Sequence, residues 1–286
     1  MNSVRIITDS AAELSAQEAG ELQVDVLPLR YNVGGTVYRQ GSEMSAERLL
    51  SIIAQGKAKV TALAPATEDI TQLLEDVTRA GQVALFIHVA GGLVPVVQPV
   101  QDIARGLFGR ARIEIIDSMS VSYGLKRIVE TAARAAADGA DIAETSQVVR
   151  SLTSRVYTLF YTEDFESLEH TVDIQPSQAV LASILGVRPL VVLEEGRLIP
   201  LEKVTPRTTP LDKLAEFVLE FASVAELAVL TGPRDSGLDV DELRERIEQS
   251  LPGLVVPAVP YGPLVAASVG PRCLGLFVSE GLDGAW

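Results

Sequence analysis

Val4-Arg5-Ile6-Ile7-Thr8-Asp9-Ser10 is a short apolar run that ends on Asp-Ser and leads into a helical pattern from Ala11 to Leu22. A run of this length, bounded by polar turn residues, reads as a strand buried on both faces. The same order returns at Ile115-Ile116-Asp117-Ser118 and, more loosely, at Leu230-Thr231-Gly232-Pro233-Arg234-Asp235-Ser236. Further strands are predicted at 24–32, 83–89, 113–116, 157–161, 190–193, 227–230, 255–259 and 274–278. Helical periodicity marks 46–54, 68–79, 121–138, 142–152, 209–222 and 240–250. Alternation of strand and helix in the first half predicts a parallel sheet sandwiched by helices. The second half predicts another α/β unit with a mixed sheet, giving an N-terminal domain at 1–155 and a C-terminal domain at 156–286.

In such sheets ligands gather beyond the carboxyl ends of the strands, where helix N-termini favour anions. Asp9 and Ser10 are therefore candidate ligand residues. Helix capping is the competing reading, because Ser10-Ala-Ala-Glu13 has the spacing of a capping box. Asp117-Ser118 reads mainly as a cap. His88 stands at the carboxyl end of the 83–89 strand, as either a core histidine or a ligand contact.

Composition narrows the classes. The 286 residues suit about two domains at roughly 150 each. Lys and Arg total 24 against 38 Asp and Glu, a net charge of −14. An acidic surface repels phosphate backbones and anionic lipid headgroups, so no nucleic-acid partner is expected. One cysteine, Cys273, and two histidines, His88 and His170, leave no basis for a disulfide or a Cys/His zinc site. Residues 83–97, the longest apolar stretch, carry His88, two glycines and Pro95 and fall short of the roughly 20 residues of a spanning helix. With no leader pattern at the start, no membrane insertion and a cytoplasmic location are expected.

Catalytic motifs are weak. Ala90-Gly91-Gly92-Leu93 follows a strand but lacks the glycine spacing of a nucleotide loop. Ala266-Ala267-Ser268-Val269-Gly270 resembles a degenerate nucleophile elbow, yet Gly270-Pro271 follows and no later histidine exists. Glu163-Asp164, Glu194-Glu195 and Asp239-Asp241-Glu242 read as turns or helix starts, Glu194-Glu195-Gly196 as a hairpin turn.

Taken in order, several short segments resemble the DegV family of two-domain bacterial fatty-acid-binding proteins. They are Ile7-Thr8-Asp9-Ser10, Leu27-Pro28-Leu29, Ile116-Asp117-Ser118 with Gly124, Leu185-Gly186-Val187-Arg188-Pro189-Leu190, Gly196-Arg197-Leu198, Tyr261-Gly262-Pro263 and Val269-Gly270-Pro271. The resemblance implies a long-chain fatty acid held in an apolar slot between the domains. It implies no cofactor and no chemistry by the protein itself. Some family members present the carboxylate to a fatty acid kinase, an implied partner here. Departures fall on the polar positions. The family's Thr-Ser-x-Pro is Ala62-Leu63-Ala64-Pro65, with Thr61 one place early. Its Ser-x-x-Leu-Ser-Gly-Thr is Ala90-Gly91-Gly92-Leu93-Val94-Pro95-Val96. Its Gly-Gly-Arg falls near Thr171-Val172-Asp173, and its His-x-Gly-Pro-Gly is Ser268-Val269-Gly270-Pro271-Arg272.

A tunnel around Leu93 is therefore expected, with Asp9, Ser10, Thr61, His88, Ala90, Gly91, Leu93, Ser268 and Arg272 near the ligand. Arg272 is either a clamp for an anionic head, a plug at the mouth, or a surface residue. The alternatives are a DegV-fold regulatory protein that has lost fatty-acid binding, and an enzyme using Asp9, Ser10 or His88.

Overall fold

Ile6 and Ile7 are both buried, as are Leu85, Phe86 and Ile87, so consecutive residues point into covered layers on opposite faces of one sheet. The structure, a computed structural model, describes residues 4–106, 112–168, 188–204 and 209–281. Its first half runs β1 (Val4–Asp9), α1 (Ala16–Glu21), β2 (Val24–Leu27), β3 (Arg30–Val33), β4 (Thr36–Arg39), α2 (Ala46–Gln55), β5 (Val60–Leu63), α3 (Thr67–Arg79), β6 (Val83–His88), α4 (Val97–Arg105), β7 (Arg112–Asp117), α5 (Ser122–Ala137) and α6 (Ile142–Thr153). Strands β2-β1-β6-β7 form an all-parallel sheet in that order. Helices α1, α4, α5 and α6 pack against it.

The second half runs β8 (Val156–Tyr161), α7 (Phe165–Leu168), β9 (Arg188–Glu194), β10 (Arg197–Val204), α8 (Pro210–Leu219), β11 (Val224–Thr231), α9 (Val240–Ser250), β12 (Ala258–Pro260), α10 (Pro263–Val269) and β13 (Leu274–Glu280). The sheet β10-β9-β8-β13-β11-β12 is mixed, with only β11–β12 parallel. Every one of its strands follows Val156. Alternation along it assigns the two faces. Leu159, Leu227, Val229, Leu276 and Val278 join the core under α8 and α9. Phe160, Ala228, Leu230 and Phe277 join the core shared with the first half.

Three expectations needed correction. The single strand expected over 24–32 is two strands. Pro28 has no N–H for a ladder, and the Leu29 N–H donates to Ser10 Oγ at 3.0 Å instead. β3 then joins β4 and β5 in a separate antiparallel sheet. The helix expected over 11–22 is a 3-10 turn, Ser10–Ala12, followed by α1. Ser10 is not the cap and Glu13 does not close a box. Asp9 caps the turn through the Ala11 N–H at 3.0 Å, while Ser15 and Glu18 form the box that starts α1. Asp117 and Ser118 cap no helix either, since α5 begins after Val121 without a side-chain cap. The hairpin turn at Glu195-Gly196 is as expected, with φ of 47° and 75° in the left-handed region. His170, Thr171–Asp173 and residues 185–187 lie outside the described residues.

Candidate functional site

β1, β6 and β7 end side by side and bring Asp9, His88 and Asp117 to one sheet edge; His88 and Asp117 are register partners. Asp9 and His88 are fully buried. One Asp9 oxygen accepts from the Val89 N–H at 2.9 Å and lies 3.1 Å from His88 Nδ1; the other accepts from the Ala11 N–H. Four groups thus converge on one clasp that ties the end of β1 to the end of β6. His88 Nε2 is buried and has no hydrogen-bond partner among the described residues. The sequence shows no partner for His88; the fold supplies Asp9 from 79 residues away.

The nearby hydroxyls are committed elsewhere. Ser10 Oγ donates to Gln40 Oε1 at 2.6 Å and accepts from Leu29. Ser118 Oγ lies 3.3 Å from the Ser120 carbonyl and 3.2 Å from its N–H. Ser268 sits inside α10, so it is not a strand-to-turn elbow. Among the described residues no group of three or more His, Cys, Asp or Glu side chains is placed to hold a metal ion, and no helix is long and apolar enough to cross a membrane.

The loop after β6 is shaped by close packing. The Ala90 N–H donates to the Ser120 carbonyl at 2.9 Å and the Gly91 N–H to Asp117 Oδ2 at 3.0 Å. A Cβ on Gly92 would collide with the Gly196 carbonyl and lie 2.6 Å from Arg197 Cγ. Gly92 thus admits the β9–β10 turn against the loop, and Gly91 lets Asp117 approach, where a Cβ would lie 2.7 Å from Asp117 Oδ2, packing reasons for glycines that a phosphate loop does not require.

Beyond this loop lies a cavity of about 390 Å³, within the ~300–1,000 Å³ typical of small-molecule sites. The end of α2, the loop after it and β5 form one wall, with Ile53, Val60, Thr61 and Ala62. Gly92 and Leu93 form another. Leu264, Ala266, Ala267 and Ser268 of α10 come from the second half, with Lys59, Asp164, Ser167 and Arg234 adding polar groups. Asp164 accepts from the Ser167 N–H at 3.1 Å and its hydroxyl at 2.9 Å.

Of the expected ligand residues, Thr61, Leu93 and Ser268 line this cavity. Asp9, Ser10, His88, Ala90 and Gly91 form the neighbouring strand-end cluster and do not line it. Arg272 is exposed and outside the lining. Lys59, Asp164 and Arg234 were missed. Arg234 carried the one available signal, its place in the third strand-turn copy.

Glu13 was also missed. It adopts φ 55°, half-buried, and bridges the halves. One oxygen accepts from the Gly262 N–H at 2.6 Å, at the start of α10, and the other from Ser122 Oγ at 2.7 Å. Desolvation outweighs these bonds and pushes the carboxyl up to about 7.

The family model described as "Uncharacterised protein, DegV family" matches residues 3–281. A DegV domain-containing protein of Streptomyces coelicolor is 27% identical over 283 residues, covering 97% of this chain and 98% of that one. The fatty acid binding DegV family protein of Streptococcus agalactiae has a TM-score of 0.85 at 18% identity, with 99% of this chain and 100% of that chain covered. A stearic acid-binding protein of Eubacterium ventriosum gives 0.79 at 17%, with 97% and 98% covered. At these identities the structural likeness establishes the fold. The family model spans nearly the whole length, and the chain belongs to the DegV family.

Proposed function

We propose that this protein binds a long-chain fatty acid and performs no chemistry on it. The supporting observation is the cavity between the two halves, which joins apolar side chains, Ile53, Val60, Leu93 and Leu264 among them, to polar groups that can meet an acid head, Thr61, Ser268 and Arg234. Each methylene buried there contributes about 0.8 kcal/mol, so a long acyl chain gains on the order of 10 kcal/mol before ordering costs. Fatty-acid binding by the similar proteins of Streptococcus agalactiae and Eubacterium ventriosum supports the same reading. A cavity of this size, walled by both halves and carrying apolar and polar groups together, favours it over a DegV-fold regulatory protein without ligand. Residues 1–155 and 156–286 act as the two domains that close on the chain. A cytoplasmic location, and presentation of the carboxylate to a fatty acid kinase, belong to this reading.

Organic extraction of the purified native protein, followed by mass spectrometry, should return acyl species in a defined ratio to protein. Ala267→Phe places a ring in the cavity and should weaken binding at least tenfold, a loss of about 1.4 kcal/mol, while leaving thermal unfolding close to wild type. An extract without acyl species, from protein that also fails to take up added fatty acid, contradicts the proposal.

A further inference from the structure

We propose that Arg234 is the cation that holds the acid head of the bound lipid and makes the site select free acids over neutral lipids. This rests on the acyl-binding reading above. Arg234 lines the cavity, its side chain is exposed, and it has no carboxylate partner among the described residues. Ten other arginines among the described residues are spent on carboxylates, among them Arg5 on Asp25, Arg39 on Asp69, Arg127 on Glu226, Arg150 on Glu114 and Arg246 on Asp212. Arg30, Arg48, Arg112, Arg155, Arg197 and Arg272 likewise have no carboxylate partner among the described residues but lie outside the lining.

The backbone under Arg234 is held in place. Its N–H donates to the Pro271 carbonyl at 3.0 Å, and the Tyr261 N–H donates to the Thr231 carbonyl at 3.0 Å. Between them, Gly232 packs so closely that a Cβ would collide with Tyr261 Oη and the Pro271 carbonyl. The loop after β11 therefore carries Arg234 at a fixed place beside the end of α10, with its long side chain exposed. Tyr261 Oη in turn donates to the Gly270 carbonyl at 2.8 Å and accepts from the Cys273 N–H at 3.1 Å, which ties the support together.

The rest of the lining creates the need for a cation. A carboxylate leaving water needs a counter-charge or donors, or it protonates. Ala62, Gly92 and Leu93 offer no side-chain donors, and the hydroxyls of Thr61, Ser167 and Ser268 bring neutral donors but no counter-charge. Asp164 places a negative charge in the same wall, and the whole protein carries −14, so the surrounding field opposes an anionic head. A guanidinium stays charged at any working pH and meets a carboxylate with two parallel N–H bonds. Lys59, on the opposite wall, offers only a flexible, strongly hydrated point charge.

The test compares hexadecanoic acid with hexadecanol, each displacing a neutral fluorescent acyl ester, for wild type, Arg234→Gln, Arg234→Lys and Arg272→Ala. Arg234→Gln should weaken the acid by about ten- to a hundredfold and leave the alcohol within about twofold, the alcohol serving as a check on folding. Arg234→Lys should recover part of the loss, and Arg272→Ala should change neither ligand. If Arg234→Gln leaves acid binding unchanged, or weakens acid and alcohol equally, the assignment of Arg234 is wrong and the acyl reading stands. If wild type binds neither ligand, the acyl reading itself fails, and this assignment with it.

Discussion

Asp9→Ala should lower the unfolding free energy by about 3–5 kcal/mol, the largest loss expected from any single side chain near the site. The substitution strands the buried N–H groups of Ala11 and Val89 and leaves His88 Nδ1 without its acceptor. Each stranded buried donor costs about 1–3 kcal/mol, and the three are not additive because they share one carboxylate. Asp9→Asn retains a carbonyl oxygen for part of the set and should lose about half as much. Chemical denaturation of the three proteins checks this, and a loss under about 1 kcal/mol for Asp9→Ala means that the clasp does not hold β1 to β6. Because the loop after β6 carries Gly92 and Leu93 to the cavity wall, Asp9→Ala should also loosen acyl binding.

The second large effect is on the pH dependence of stability, through Glu13. Its carboxyl is raised from an ordinary value of 4.5 to about 7. Between those values the folded protein keeps a proton that the unfolded chain has released. Stability therefore falls as pH rises through this window and levels off above it. The full shift corresponds to roughly 3 kcal/mol, and solvent screening of a half-buried group leaves about 1–3 kcal/mol. Glu13→Gln stays neutral throughout, retains an acceptor for the Gly262 N–H, and turns an amide N–H toward Ser122 Oγ, whose hydroxyl must then reverse from donor to acceptor. At a pH of about 8 the variant should be as stable as wild type or more so, and near pH 5 the two should converge. Lys126, the nearby cation, favours the charged form and limits the size of the effect. Parallel pH–stability profiles with the same slope would exclude Glu13 as the titrating group. Since Gly262 begins α10, the same titration should alter acyl release.

The strands of the two large sheets were legible where both faces are buried, since 83–89 and 274–278 carry apolar side chains in succession. α3 was legible because Ile70, Leu74 and Val77 repeat at helical spacing along one buried stripe. β4 and β5 were not, because they are four-residue strands of a partly exposed sheet with no clear alternation. α4 was hidden by Pro95 and Pro99, which read as breakers although they flank and open the helix. Ser10 and Glu13 had the spacing of a capping box, yet tertiary bonds to Leu29, Gln40, Ser122 and Gly262 claim both side chains. Of the cavity lining, Thr61, Leu93 and Ser268 stand in or beside short family segments and so could be named from sequence, whereas Arg234 and Asp164 converge from loops that sequence proximity does not connect.

The proposed acyl chain lies between the β5–α2 wall and α10. A fatty acid with a photoactivatable diazirine in its tail, bound and irradiated, reports that location directly when the adducts are mapped by peptide mass spectrometry. Adducts are expected in the peptides containing 53–62, 92–93 and 264–268, abolished by excess hexadecanoic acid. Adducts confined to other segments, or labelling that excess fatty acid does not suppress, would contradict this placement.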